Sequence, residues 1–183
     1  MPRPRSRSPN RRHGAIMSDF DRFINFSAEI TAFPNFELLG TGQAQDYFDK
    51  TIAVVGDATM TALLNAYDVL RPVPHPEREW RLRREIFGDE KLGPIARNIV
   101  KMWYSGMWFE LPRAWTEAYG AREDNVTVTV SGEAYTEGLL WPAVGAHPAG
   151  AKAPGYGSWF FPPQIPPVPP PIPPIADPAV AAR

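Results

Sequence analysis

The chain has 183 residues, with 19 Lys and Arg against 20 Asp and Glu, and no cysteine. That length suits one domain, and a core of about 145 residues buries roughly two thirds of the surface its unfolded chain exposes. The missing thiols exclude disulfides, thiolate metal sites, c-type haem attachment and a cysteine nucleophile, and leave the compartment open. The near-neutral total hides an asymmetry, because Arg3, Arg5, Arg7, Arg11 and Arg12 precede every acid. Without them fourteen basic residues face twenty acidic ones, a charge of −6. An acidic body lacks the clustered basic face that phosphate contact requires, so no nucleic-acid partner is expected for it.

Residues 1–17 read as a disordered basic arm, 18–161 as a helical domain and 162–183 as a proline-rich tail. The arginines of the arm have no apolar stretch behind them, so the arm does not read as a secretory signal. Arg11-Arg12 is a twin arginine in letters only, because Phe20 to Phe26 is amphipathic. Translation from Met17 is an alternative reading. No run of about 18 apolar residues exists, so no membrane-spanning helix is expected and any membrane association is indirect.

In the body the pattern is helical. Ser18 is placed to cap a helix in which Phe20, Phe23, Ile24 and Ile30 recur at helical steps, with Pro34 beyond its end. Thr41 is expected to start a second helix, with Ala44, Tyr47, Phe48 and Ile52 on one stripe up to Gly56. Asp57 is expected to cap a third, carrying Met60, Leu63, Leu64, Tyr67 and Leu70 inward. After the stiff connector Pro72 to Pro76, Glu77 to Phe87 predicts a short helix with Trp80 and Phe87 inward and the arginines in water. The pattern resumes with Leu92, Ile95, Ala96, Ile99, Val100 and Trp103, and Pro94 suits a first turn. Asn125 to Val130 alternates like a half-buried strand with no second strand in view, so it is read as an extended lead or as a strand completed by a partner. Ser131 is expected to cap a helix bearing Tyr135, Leu139 and Leu140. Ten of the residues from Pro162 to Pro178 are proline, which favours polyproline II as a spacer, a clamp on another subunit or a ligand for an aromatic groove. The fold class is all-α: one compact helical domain with a Gly/Pro-rich C-terminal extension.

The chemical inventory is thin. His13, His75 and His147 are scattered, and none pairs with another ligand at helical spacing, so no metal site is expected. Gly40-Thr41-Gly42 begins like a dinucleotide fingerprint, but the third glycine would fall at Gln45, and a helix cap is the better reading. Glu133 and Glu137, four apart, share a helix face and read as solvated. Asn125-Val126-Thr127 spells a glycosylation sequon. No catalytic, cofactor-binding or metal-ligating residue is therefore expected.

Trp103, Tyr104, Trp108, Phe109 and Trp115 fall within thirteen positions. One helix face cannot bury that spacing, so several of them are expected at the surface as partner contacts, given the weight of Trp and Tyr in interface hot spots. The expected interface is Trp108, Phe109 and Trp115, together with His147, Tyr156 and Trp159 of the Gly/Pro segment. Trp103 is expected in the core.

Ile95 to Gly106 (IARNIVKMWYSG), then Ala134-Tyr135 and Leu139-Leu140-Trp141, and a Gly/Pro run from Gly145 to Pro163 ending near Trp159, form an ordered set. The order resembles the small, cofactor-free subunit of membrane-bound FAD-dependent sugar and polyol dehydrogenases, which carries a WY-x-G helix end, an AY-x-x-x-L-x-W pattern and a closing Gly/Pro run. The resemblance implies a non-catalytic accessory subunit that binds and stabilises a large FAD-containing subunit. It implies a multihaem cytochrome c as a further partner, no cofactor in this chain, and a periplasmic complex held at the inner membrane through other subunits, with a cytoplasmic complex as the alternative. Trp103, Tyr104, Gly106, Tyr135, Leu140, Trp141, Gly157 and Trp159 carry over as packing or contact residues only. The other readings are a stand-alone enzyme using His147, Glu133 or Glu137, and an interaction module acting through the tail and arm.

Overall fold

The structure, a computed structural model, describes residues 17–122, 125–149 and 151. The basic arm other than Met17, the proline-rich tail, Tyr156 and Trp159 lie outside these residues. Contacts divide the chain into a unit ending at Gly138 and a second unit starting at Leu139. The described residues are mostly helical, and the fold class is all-α.

Local chemistry sets the first helix. In α1 (Asp19–Thr31) the Ser18 hydroxyl accepts from the Asp21 N–H, and the Asp21 carboxylate accepts from the Ser18 N–H, a reciprocal capping box. Phe23, Ile24, Phe26, Ser27 and Thr31 face inward, while Phe20 and Ile30 are half-buried. Ala32 ends the helix in a left-handed conformation, its N–H on the Ala28 carbonyl.

A short helix, α2 (Asn35–Gly40), follows where none is predicted, with Pro34 at its N-cap and Leu38 buried. The expected second helix therefore does not begin at Thr41. Thr41 closes α2, and its hydroxyl accepts from the Gln43 N–H just ahead of α3 (Ala44–Val55). The inward set of α3 is Ala44, Tyr47, Thr51, Val54 and Val55, so Phe48 and Ile52 lie at the margin of the stripe. Gly56, at φ 79°, turns the chain into α4 (Asp57–Leu70), which begins at Asp57 without a side-chain cap. Met60, Leu63, Leu64, Tyr67 and Leu70 all point into the core as their spacing predicts.

The connector is shorter than expected, because α5 (His75–Arg81) starts inside it with Pro76 in the first turn. It runs directly into a π-helical segment, Leu82–Phe87. The wider turn re-phases the side chains: Leu82 and Ile86 are buried, Phe87 is half-buried, and Trp80 is turned outward at 56 % exposure. The inward placement of Trp80 is thus corrected. α6 (Leu92–Ser105), with Pro94 in its first turn, buries Ile95, Ala96, Ile99, Met102 and Trp103.

Helix α1 packs on α2, α3, α4 and α6, and the π segment packs on α4 and α6. Tyr47 of α3 meets Trp103 edge-on, ring centroids 4.7 Å apart. Arg22 joins α1 to α4, with Nε 2.8 Å from Asp68 and Nη2 2.6 Å from Asn65. Arg78 ties α5 to α1 through Glu29 at 3.0 Å and also donates to the Arg71 and Val73 carbonyls.

Gly106 ends α6 at φ 72° and reverses the chain into β1 (Met107–Trp108). β1 pairs antiparallel with β2 (Val128–Thr129), Met107 opposite Thr129 and Trp108 opposite Val128. The strand in NVTVTV is thus completed within this chain rather than by a partner, and its Val126 and Val128 are exposed where a half-buried strand was expected. Between the strands lies α7 (Arg113–Tyr119), and beyond them α8 (Gly132–Thr136), capped as expected by the Ser131 hydroxyl on the Ala134 N–H but ending before Leu139 and Leu140, which were expected on it. In the second unit α9 (Leu140–Ala143) leads into a turn at Gly145, with the Ala146 N–H on the Trp141 carbonyl.

Candidate partner-binding surface

The aromatic run is distributed over three elements, which is how the fold buries what one helix face could not. Trp103 lies on α6, Trp108 on β1 and Trp115 on α7. Trp108 is 0 % exposed and donates its indole N–H to Asn125 Oδ1 at 3.3 Å. Trp115 is 4 % exposed and donates to the Lys91 carbonyl at 2.8 Å. Both are core residues, so the expectation that they stand at the surface as contacts is corrected: reversal at Gly106 folds the segment after α6 back onto the helices. Phe109 is half-buried under the Lys101 ammonium, 5.1 Å from the ring centroid. His147 is exposed in the second unit.

Side-chain amides hold this returning segment. Asn98, buried on α6, presents its amide to Phe109, donating to the carbonyl at 2.5 Å and accepting from the N–H at 3.0 Å. Asn125 Oδ1 also accepts from the Leu111 N–H, and the Thr127 hydroxyl accepts from the Glu110 N–H. The sequon asparagine therefore spends its side chain inside the fold. Asn98 carried no signal in the sequence beyond a polar residue among apolar neighbours.

The two motif segments meet. A Cβ on Gly106 would lie 2.7 Å from the Tyr135 nitrogen and against the Ala134 carbonyl, and one on Gly138 would lie 2.8 Å from the Tyr104 carbonyl oxygen. Glycine at both positions is what lets α8 and its exit approach the end of α6. The Tyr104 hydroxyl donates to the Thr31 carbonyl at 3.0 Å, and its ring meets Phe33 edge-on at 6.0 Å. Ser131, ahead of α8, donates to the Gln43 side chain ahead of α3. One end of the unit is thereby assembled from the C-termini of α1 and α6, the α2 to α3 corner, and α8.

Large apolar side chains also stand exposed on two of these elements. Phe36 is 73 % exposed and Leu39 50 %, three residues apart on α2, and Tyr135 on α8 is 40 % exposed. Phe36 and Leu39 were not among the expected contacts, because α2 itself was not foreseen. The elements around them carry acids: Glu37, Asp46, Asp49 and Glu133 are exposed, and Glu137 is half-buried just past α8. Burial pushes the Tyr47 phenol well above its ordinary range, and Asp46 and Glu137 add to the rise, which brings both carboxylates to the neighbourhood of one ring.

Among the described residues no group of three His, Asp or Glu could hold a metal ion, and no helix is long and apolar enough to cross a membrane. No protein-family model, curated protein or solved structure matches this chain.

Proposed function

We propose that this chain is a non-catalytic accessory subunit that binds and stabilises a large FAD-dependent sugar or polyol dehydrogenase subunit. The observation that carries the reading is the meeting of the WY-x-G end of α6 with the Ala134-Tyr135 segment of α8, through Gly106 and Gly138. Two of the segments on which the resemblance rests, the end of α6 and Ala134-Tyr135, thus pack together in the first unit, and the exposure of Phe36 and Leu39 on the same unit favours a protein contact. In this reading the flavin and the chemistry belong to the partner, a cytochrome c takes the electrons, and the complex works in the periplasm at the inner membrane.

The test is expression of the chain alone and together with flavoproteins encoded beside its gene. Alone, it is expected to be colourless and without dehydrogenase activity. Together, it is expected to co-purify with one flavoprotein and to lengthen the lifetime of that protein's activity on heating. A flavin spectrum in the chain alone, or the absence of any flavoprotein in its complexes, overturns the proposal.

A further inference from the structure

Trp80, on α5, is 56 % exposed and is the largest of the exposed apolar side chains among the described residues. Its helical neighbours one turn before and one turn after are Pro76 and Arg84, both exposed, so the three form a stripe along one helical run. The join to Arg84 is measured: the guanidinium lies over the indole, 5.1 Å from the ring centroid. Arg84 belongs to the π-helical turn that begins just after Trp80. Such turns are rare and occur frequently at functional sites.

Charge marks Arg84 out from its neighbours. Arg78 pairs with Glu29, Arg81 with Glu85 and Arg83 with Glu79. Glu77 acts on Arg81 as well. The charge of Arg84 reaches Glu85, but both Glu85 oxygens are held by Arg81, at 2.9 and 3.1 Å. Among the described residues Arg84 therefore makes no ion pair and donates no hydrogen bond, and its guanidinium rests on Trp80. A guanidinium held over an aromatic ring has less freedom to lose when a carboxylate arrives, and its planar fork of N–H donors matches the two carboxylate oxygens. The Lys91 and Tyr119 pair differs, because Tyr119 leans on the buried Trp115 and an ammonium has no such fork.

We propose that the Pro76–Trp80–Arg84 stripe is a docking site for an acidic segment of a protein partner, in which an Asp or Glu carboxylate meets the Arg84 guanidinium and an apolar side chain covers the exposed part of the Trp80 ring. Trp and Arg are the side chains most enriched among the anchors of protein interfaces, and the unneutralised cation selects the sign of what meets it. This site stands apart from the accessory-subunit reading, because it specifies the chemistry of the partner's segment and not its cofactor.

The experiment places a photoreactive benzophenone side chain at Glu77, three residues before Trp80 on α5, in the full chain in its source cells, with the same group at exposed Glu117 on α7 as the control; irradiation and sequencing of the cross-linked peptides follow. Position 77 is expected to capture one protein at least about tenfold more than position 117, in a segment with Asp or Glu beside an apolar residue. Arg84→Gln and Trp80→Ala, each combined with the group at position 77, are expected to lower that yield at least about tenfold while the melting temperature moves by less than about 4 °C. Arg84→Lys, which keeps the charge and loses the fork, is expected to lower it at least about threefold. Equal capture at position 117, a captured segment without Asp or Glu, cross-links to nucleic acid in place of protein, a yield untouched by any of the three substitutions, or no capture at all overturns the docking site. Whether the captured protein carries flavin bears on the accessory-subunit reading alone.

Discussion

Replacing Trp108 by Ala should destabilise the helical unit itself rather than merely cost it a partner. The side chain is 0 % exposed, so its removal leaves a cavity between β1 and the helices, and Trp→Ala in a packed interior costs about 3–5 kcal/mol. Loss of the indole donor adds little, because Asn125 Oδ1 keeps the Leu111 N–H at 3.0 Å. For a domain of this size the expected fall in Tm is about 10–20 °C. Trp115→Ala should behave alike, since Trp115 is also buried and its indole satisfies the Lys91 carbonyl. Trp80→Ala is the contrast: at 56 % exposure it forfeits mainly the Arg84 contact, about 0.5–1 kcal/mol, and its melt should move by less than about 4 °C. Thermal melts followed by far-ultraviolet circular dichroism separate the variants. A Trp108→Ala protein that melts within about 3 °C of its parent, yet no longer holds a partner, would refute this reasoning.

Gly106→Ala should cost well over the roughly 1–2 kcal/mol of a left-handed alanine, because its Cβ meets the α8 backbone; Gly42→Ala, at φ 71° with nothing nearby, isolates the conformational part, and equal denaturant midpoints for the two would contradict the close approach. Burial, with Glu29 adding, pushes the Tyr67 phenol up to about 12, so the unfolded chain loses that proton first, near pH 10. Stability should therefore be intact below about pH 10 and fall by about 1.4 kcal/mol per pH unit for this group between about pH 10 and 12, a slope that Tyr67→Phe should reduce in denaturant titrations.

Helix boundaries made by neighbours were legible in the sequence. Ser18 and Ser131 cap helices because their hydroxyls reach an N–H only three residues on, and Pro94 fits a first turn wherever the helix lies. The Met60 to Leu70 stripe was equally readable, since an unbroken α-helix keeps its phase from residue to residue. Trp80 escaped because the π segment after α5 changes that phase, and the sequence pattern assumed a constant one. The burial of Trp108 and Trp115 was not legible either. It depends on reversal at Gly106, on pairing with a strand about twenty residues later, and on amides at Asn98 and Asn125 that receive the returning backbone. The candidate surface lay further out of reach. Phe36 and Leu39 stand on α2, a helix the pattern did not show, and the elements around α8 come together through a Gln43 to Ser131 bond spanning 88 residues and a Tyr104 to Thr31 bond spanning 73. Local chemistry decides where a helix starts and stops, whereas which face meets water is decided by the elements that arrive from elsewhere in the chain.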